Sequence, residues 1–467
     1  MPDRPTEHES LAGAARRPYW TDPDLRPAPA PGEPLRGDVH TDLAVVGGGF
    51  TGLWAALHAA DADPGRRVVV LEGGPLGFGA SGRNGGFVSP SLTHGLAQGV
   101  GCWPDEVETL ERMGAENFAG LQADVARLGI DCDLHVPGEL TLALDEHQVG
   151  TLREGYQLHR QHGADVTWLD ARAARERVDS PRYRAGMLDP TVGLVDPARL
   201  LWGLAAAVRE RSVEVLERSP VRAMERDGSG MRLRGDEGSV RAEQVVLATG
   251  AYPALLRRVG AWVIPVYDHV LMTEPLSGEQ LASLRWHGRE GLTDAGNQFH
   301  YYRLTADDRI LFGGYDASYH YGGRIDAELE QGASHDLLAR HLLEIFPQLE
   351  GVRISHRWAG VIDTTSRFTP IFGTSHGGRV AYAMGYTGLG VASTRFGAAV
   401  ALDLLAGAET ERTGLSMVRD KPVPFPPEPL RYAAVQATRA AMAREDRTGR
   451  RGPLLRALDV AGVGFDS

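Results

Sequence analysis

The residues with the most chemical content lie near the start of the organised chain, in Asp42–Gly52, DLAVVGGGFTG. A hydrophobic run, Leu43–Val46, leads into Gly47-x-Gly49-x-x-Gly52, and an apolar helical stretch, LWAALHAA, follows. A second apolar run, Arg67–Leu71, ends in Glu72. Strand, glycine turn, helix, strand and terminal acid is the order a dinucleotide site needs. Gly47 permits the tight turn, Gly49 admits the pyrophosphate to bare backbone, and Gly52 lets helix and strand pack closely. The helix N-terminus, with Phe50 and Thr51, offers N–H groups and a positive dipole to phosphate. Glu72 stands where a ribose hydroxyl needs an acceptor.

This motif alone does not separate a nicotinamide from a flavin nucleotide. The next segment does more: EGGPLGFGASGRNGG leaves the second strand as a long glycine loop through Gly79, Ala80, Ser81, Gly82, Arg83, Asn84, Gly85 and Gly86. Such a loop can wrap a pyrophosphate and bring amides to a flavin ring, where a simple nicotinamide dehydrogenase would continue into helix. Gln244–Tyr252, QVVLATGAY, reads as a late strand whose Thr249 and Gly250 pass the adenine side. Near the other end, Gly385-Tyr386-Thr387-Gly388-Leu389-Gly390 precedes an apolar helix. Its N-terminal dipole would face charge developing on a reduced flavin.

These segments need a large scaffold. The chain has 467 residues, 42% hydrophobic and 24% charged, with 58 glycines. That is room for two to four folded domains and excludes global disorder. The net charge of −12 comes with no basic block, which argues against a nucleic-acid partner. Cys102 and Cys132 form neither a disulfide framework nor a zinc pattern, and no metal site is expected. The N-terminus shows no apolar signal core, and no run approaches the ~20 apolar residues of a membrane span. A cytoplasmic protein without stable membrane insertion is expected.

Residues 1–40 read as an extended arm pinned by Tyr19 and Trp20. Helices are expected over about 105–128, 146–162, from an Asp196 N-cap to Arg211, over 332–346 and over 388–405. Strands are expected at 133–145, in short pieces over 213–248, and at 262–275 and 298–315. After a proline-rich linker, KPVPFPPEP, a helix at 430–444 carries Arg431, Arg439 and Arg444. It reads as a packing helix with a solvated basic face in preference to a membrane-surface helix.

Together, DLAVVGGGFTG, LEGGPLGFGASGRNGGF, VVLATGAY, WAGVIDTTSRFTPIFG and AMGYTGLGVASTRFG resemble the D-amino-acid oxidase family of FAD-dependent oxidoreductases. GASGRNGG and YYRLTADDRILFGG resemble its gamma-glutamylputrescine oxidase branch. The resemblance covers about residues 40–410. It implies an α/β, Rossmann-like FAD-binding domain (41–130, 190–262 and 365–410) interleaved with an α+β substrate domain on an antiparallel sheet (131–189 and 263–364). Residues 411–467 are left as linker and helix. It also implies oxidation of a small amine or amino acid by hydride transfer from the α C–H to flavin N5. The imine hydrolyses, and oxygen or another acceptor takes the electrons. The cofactor contacts are the residues named above, with Val221 added.

Substrate contacts are less sharply marked. On the strand around Tyr301-Tyr302-Arg303, alternation puts Tyr301 and Arg303 on one face and Tyr302 on the other. Arg303 either clamps a substrate carboxylate or pairs with Asp307 or Asp308. Tyr267 and His269 share a face of VIPVYDHVLMTEP and are candidates for the pocket, His269 equally for the core. Trp358 reads as core or pocket wall and Asp363 as a loop acid. Both cysteines lie in the first third, away from the late position some relatives use for covalent flavin, and the nearest histidine to the glycine loop is His94. FAD is therefore expected to be non-covalent. A flavin hydroxylase is disfavoured because no G-D-A-A-H-type segment occurs. A disulfide reductase is disfavoured because there is no redox cysteine pair, and Gly228-Ser229-Gly230 sits in a hairpin. An amine dehydrogenase feeding a quinone or protein carrier, and a non-enzymatic or RNA-modifying FAD-binding relative, remain as alternatives.

Overall fold

The computed structural model describes residues 7–253 and 255–464. The first six residues of the N-terminal arm, Ala254 and the last three residues of the tail lie outside them. Two eight-stranded sheets organise the chain. In the first, the order is Ile371–Ser375, Val380–Met384, Gly238–Leu247, Gly37–Val46, Val68–Leu71 and Glu214–Leu216. A hairpin, Ala223–Asp227 with Gly230–Arg234, pairs onto the long strand Gly238–Leu247. The central strands are parallel, with Val45 beside both Val246 and Val70. Being covered on both faces, they carry near-continuous Val and Leu instead of alternation. The helix Phe50–Ala62 has ten buried residues and packs with Pro197–Glu210 and Gly390–Ala406 into one apolar core.

The second sheet runs Ile354–Thr364, Ile264–Thr273, Ile310–Gly314, His300–Leu304, Gly291–Asp294, Glu139–Ala143, Ala185–Asp189 and Thr167–Asp170. It is antiparallel except between Gly291–Asp294 and Glu139–Ala143, which run parallel. Its far face buries Leu271, Tyr302 and Phe312 against the helix Ala333–Ile345 and the Phe346 that follows it. The mixed α/β architecture expected from the sequence is thus the one found.

Several boundaries differ. The first strand begins at Gly37, because its register with Gly238–Leu247 extends back to that residue. Only Glu139–Ala143 of 133–145 is strand, and 298–315 divides at the turn around Asp308, which has φ 61°. The arm is bound throughout its aromatic part: Tyr19 and Trp20 are 4% and 2% exposed. The Tyr19 hydroxyl donates to Asp307 at 2.8 Å, and His356 lies 2.8 Å from Asp22.

Candidate active site

The first motif folds as its residue types require. Gly47 has φ +111°, and a Cβ on Gly52 would lie 1.9 Å from the Gly47 carbonyl oxygen, so helix and turn touch at a point only glycine allows. Glu72 accepts N–H bonds from Gly48 at 2.7 Å and Gly74 at 2.8 Å. It thereby ties the first turn to the loop after the second strand. Burial holds its carboxyl above the usual range despite those bonds. Ser81 Oγ accepts the Phe50 N–H at 3.0 Å and would lie 2.9 Å from a Cβ on Gly49.

The glycine loop is held by side chains from far away in sequence. The Trp20 indole donates to the Asn84 carbonyl and the Trp358 indole to the Arg83 carbonyl, both at 2.9 Å. Arg83 donates to the Ala359 carbonyl at 2.8 Å and pairs with Glu330 at 2.7 Å. Asn84 accepts the Gly86 N–H at 2.9 Å. Trp358, fully buried, is therefore a core residue that also fixes this loop.

The third segment closes the same space. Asp363 accepts the Gly385 N–H at 2.5 Å on its carboxylate and the Thr387 N–H at 3.1 Å on its carbonyl. It acts as the brace of the loop, and burial pushes its carboxyl up to about 6. Thr387 and Gly388 have φ of 50° and 95°, turning the chain into the helix Gly390–Ala406, which starts without a side-chain cap. Thr51 Oγ1 donates to the Tyr386 hydroxyl at 3.2 Å, joining first and last motifs. His94 Nε2 lies 2.9 Å from the Thr387 carbonyl.

One cavity of about 1660 Å³ connects these pieces with the second sheet. It is bordered by Gly47, Gly49, Phe50, Thr51, Glu72, Gly79, Ala80, Ser81, Arg83, Asn84, Gly85, Gly86, Val221, Thr249, Gly250, Tyr386, Thr387, Gly388, Leu389 and Gly390. Gly52, Gly82 and Gly385 stand behind that wall and let its turns close. The volume exceeds the ~300–1,000 Å³ of ordinary ligand sites, leaving room for a dinucleotide and a substrate together. The uncapped N-terminus of Gly390–Ala406 and the glycine surfaces, where a Cβ would intrude, fit FAD.

The substrate side needs correction. Tyr301 borders the cavity and Arg303 does not. The two share a face, as alternation requires, with Tyr302 opposite against Tyr183. Arg303, however, is 1% exposed and donates to the Val195 carbonyl at 2.7 Å. Its other neighbours are the Gly86 carbonyl and Asp133, neither Asp307 nor Asp308. It ties the second sheet to the end of the glycine loop and to Val195, and is not placed as a carboxylate clamp. Tyr267 and His269 also point away. Tyr267 is fully buried and bonded to the backbone of Asp326, and His269 packs edge-on to His335. Desolvation holds His269 down to about 3, a neutral core histidine. The residues of that strand that border the cavity are Ile264, Val266 and Asp268.

Sequence reasoning passed over Asp268. Alternation alone would have offered it as the partner of Val266, once the other face of the strand was chosen. The Tyr301 hydroxyl donates to Asp268 at 2.5 Å, and burial pushes the Asp268 carboxyl up to about 6. Farther along the sheet, Glu139, bonded by Thr293 at 3.0 Å, is pushed up to about 7 by burial. Glu154, Asp189, Asp294 and Asp316 also border the cavity, and no arginine of the second sheet does so among the described residues.

The C-terminal helix, Leu430–Thr448, lies over the mouth through Ala434, Val435, Thr438, Arg439 and Met442. Its expected basic face is not wholly solvated. Arg439 turns inward to pair with Asp316, and Asp446 accepts the N–H groups of Asn297 and Gln298, each at 2.9 Å. Among the described residues, no helix is long and apolar enough to cross a membrane.

Fold and site together define a flavin-dependent oxidoreductase. Residues 42–404 match the FAD dependent oxidoreductase family, DAO, and the chain belongs to it. It is 35% identical to the gamma-glutamylputrescine oxidoreductase of Escherichia coli K12 over 388 residues, covering 81% of this chain and 86% of the relative. It is 32% identical to the probable oxidoreductase OrdL of Haemophilus influenzae, over 80% of this chain and 85% of that protein. The crystal structure of glycine oxidase from Geobacillus kaustophilus shares the fold, with a TM-score of 0.67 at 24% identity. That alignment covers 80% of this chain and 96% of that one. The protein is an FAD-dependent oxidoreductase of the family that acts on amines or amino acids.

Proposed function

We propose that the protein is an amine oxidase that holds FAD non-covalently and acts on a cationic alkylamine at its CH–NH or CH–NH2 group. The observation that carries this reading is the lining of the substrate half of the cavity. Carboxylates border it, Asp268 being bonded to the Tyr301 that packs on Gly85 of the glycine loop, while the arginine expected to bind an amino-acid carboxylate is spent on backbone carbonyls. An ammonium group is favoured in such a space, and a carboxylate beside the reacting carbon is not. The substrate named for the Escherichia coli relative, gamma-glutamylputrescine, agrees with an amine. Bound in the cradle, FAD would supply a hydride acceptor, the imine product would hydrolyse, and oxygen would take the electrons to give hydrogen peroxide.

The chain's own residues orient and exclude water. The segment Tyr386–Gly390, braced by Asp363 and ended by a helix N-terminus, offers positive potential to the pyrimidine edge of a flavin. The C-terminal helix shields the opposite side. Non-covalent attachment is favoured because neither cysteine borders the cavity, and His94 is engaged with the Thr387 carbonyl. Heat release of the yellow chromophore, followed by peroxide assay with alkylamines, D- and L-amino acids and N-alkyl glycines, tests the proposal. Free FAD and peroxide from alkylamines are expected. Chromophore retained on the denatured chain contradicts non-covalent binding, and peroxide from amino acids alone contradicts the substrate class.

A further inference from the structure

We propose that Asp268 is the proton acceptor that neutralises the substrate ammonium, with Tyr301 as the positioning residue that holds its carboxylate. This rests on the reading of the protein as an amine oxidase and names the group that makes the amine reactive. An alkylammonium has no nitrogen lone pair to support loss of an α hydride, and at neutral pH only about one molecule in 10³ is neutral. Some group must take the proton where oxidation occurs.

The backbone is cleared for this pair. A Cβ on Gly313 would lie 2.6 Å from the Tyr301 hydroxyl oxygen, and one on Gly85 would lie 2.7 Å from the Tyr301 ring. Glycine on the neighbouring strand therefore admits the hydroxyl, and glycine in the cofactor loop admits the ring. The pair stands where the cofactor loop meets the substrate sheet. The strand on the other side presents Gly360 opposite Asp268, with no side chain to cover it. The charged and titratable groups facing Asp268 are few. Tyr301 comes from one strand, Gly313 and Gly314 bring no side chain from the next, and Arg83 of the loop is bound to Glu330 and to backbone carbonyls. Among the described residues no cation pairs with the carboxylate, so an arriving ammonium supplies the counter-charge. The low polarity that raises the Asp268 pKa also favours the neutral pair, amine and carboxylic acid, over the ion pair.

In the step, an ammonium N–H bond breaks and an O–H bond forms on Asp268. The electron pair stays on nitrogen, and nothing is oxidised or reduced. The proton returns to water after product leaves. Tyr301, held well above its ordinary pKa by burial, stays protonated and donates throughout.

The test is the pH profile of the second-order rate of anaerobic flavin bleaching in the holoenzyme, using the fastest primary alkylamine of a defined panel. Wild type is expected to lose rate tenfold per pH unit below about 6 and to be flat from 7 to 9. An ionised Asp268 with ammonium is the same protonation state as neutral acid with amine, so the plateau follows. Asp268→Asn is expected to lose the break near pH 6, its rate climbing tenfold per pH unit all the way to pH 9. Tyr301→Phe keeps the acceptor but removes a bond to its ionised form, so its acid limb moves to higher pH; this variant decides the matter if Asp268→Asn loses FAD. Glu139→Gln retains the limb. Binding of tert-butylamine, which has no α C–H, gives a readout apart from turnover: its affinity weakens below pH 6 in wild type and not in Asp268→Asn. An Asp268→Asn deficit constant with pH, an unmoved limb in Tyr301→Phe, or loss of the limb in Glu139→Gln overturns the assignment. A wild-type holoenzyme bleached by no amine overturns the functional reading and this acceptor with it.

Discussion

Replacing Gly52 with alanine adds one methyl group at the contact between the first helix and the turn before it. That methyl carbon would lie 1.9 Å from the Gly47 carbonyl oxygen and 3.1 Å from Val45 Cγ1. Contacts under 3.0 Å to backbone are not tolerated, so the helix must retreat by more than 1 Å from the strand. Its N-terminal N–H groups move with it, away from the pyrophosphate they are placed to bind. A displacement of that size in a positioned site costs about 100-fold, or roughly 2.7 kcal/mol. Gly150→Ala is the control, because its added methyl group meets nothing within 4 Å on the exposed side of the helix Glu146–Gln161. It should stabilise the helix by about 0.5–1 kcal/mol and leave the cofactor in place. FAD content of the purified proteins and the Kd for added FAD measure both. A Gly52→Ala protein that purifies fully yellow with an unchanged Kd refutes the argument.

Arg303→Met keeps apolar bulk but removes the charge-assisted bond to the Val195 carbonyl; a loss of about 2–4 kcal/mol in denaturant stability is expected, with no selective rise in KM for carboxylate-bearing amines. A selective KM effect in a protein of unchanged stability would return Arg303 to the substrate. His269→Phe should alter amine oxidation by less than about twofold while flattening the acid side of the stability curve. The folded-state pKa of His269 is depressed to about 3, so the unfolded chain binds the extra proton, and stability present above pH 6.5 is lost on acidification. Removing that term should spare on the order of 3 kcal/mol at pH 4; unchanged acid sensitivity would contradict its place in the core. Asp446→Ala frees the N–H groups of Asn297 and Gln298 from the C-terminal helix and should raise KM without loss of FAD. Equal FAD content and equal KM would show that the helix does not need this anchor.

The cofactor half was legible because its determinants are local. Gly47, Gly49 and Gly52 act through backbone geometry within a few residues, and parallel strands announce themselves as unbroken apolar runs. The substrate half was not, for two physical reasons. Alternation assigns residues to two faces but does not say which face is inward. On Ile264–Thr273 the aromatic residues Tyr267 and His269 serve the helix-packed face, while Asp268 takes the cavity. Second, an arginine on a strand carries no record of its partner. Arg303 is satisfied by Val195, more than 100 residues away, and the Arg83 carbonyl by Trp358 from the opposite end of the chain. The C-terminal helix gave a third case: its arginines read as a solvated face, yet Arg439 finds Asp316 because the tail crosses the cavity mouth.

The most direct test of the central claim is to mix the purified holoenzyme anaerobically with alkylamines, D- and L-amino acids and N-alkyl glycines, follow the flavin absorbance, and then admit air. Bleaching by alkylamines, with colour and peroxide returning in air, is the result predicted. Bleaching by amino acids alone, or no bleaching by any of them, contradicts it; bleaching by alkylamines with no recovery in air contradicts oxygen as the acceptor and makes the protein a dehydrogenase.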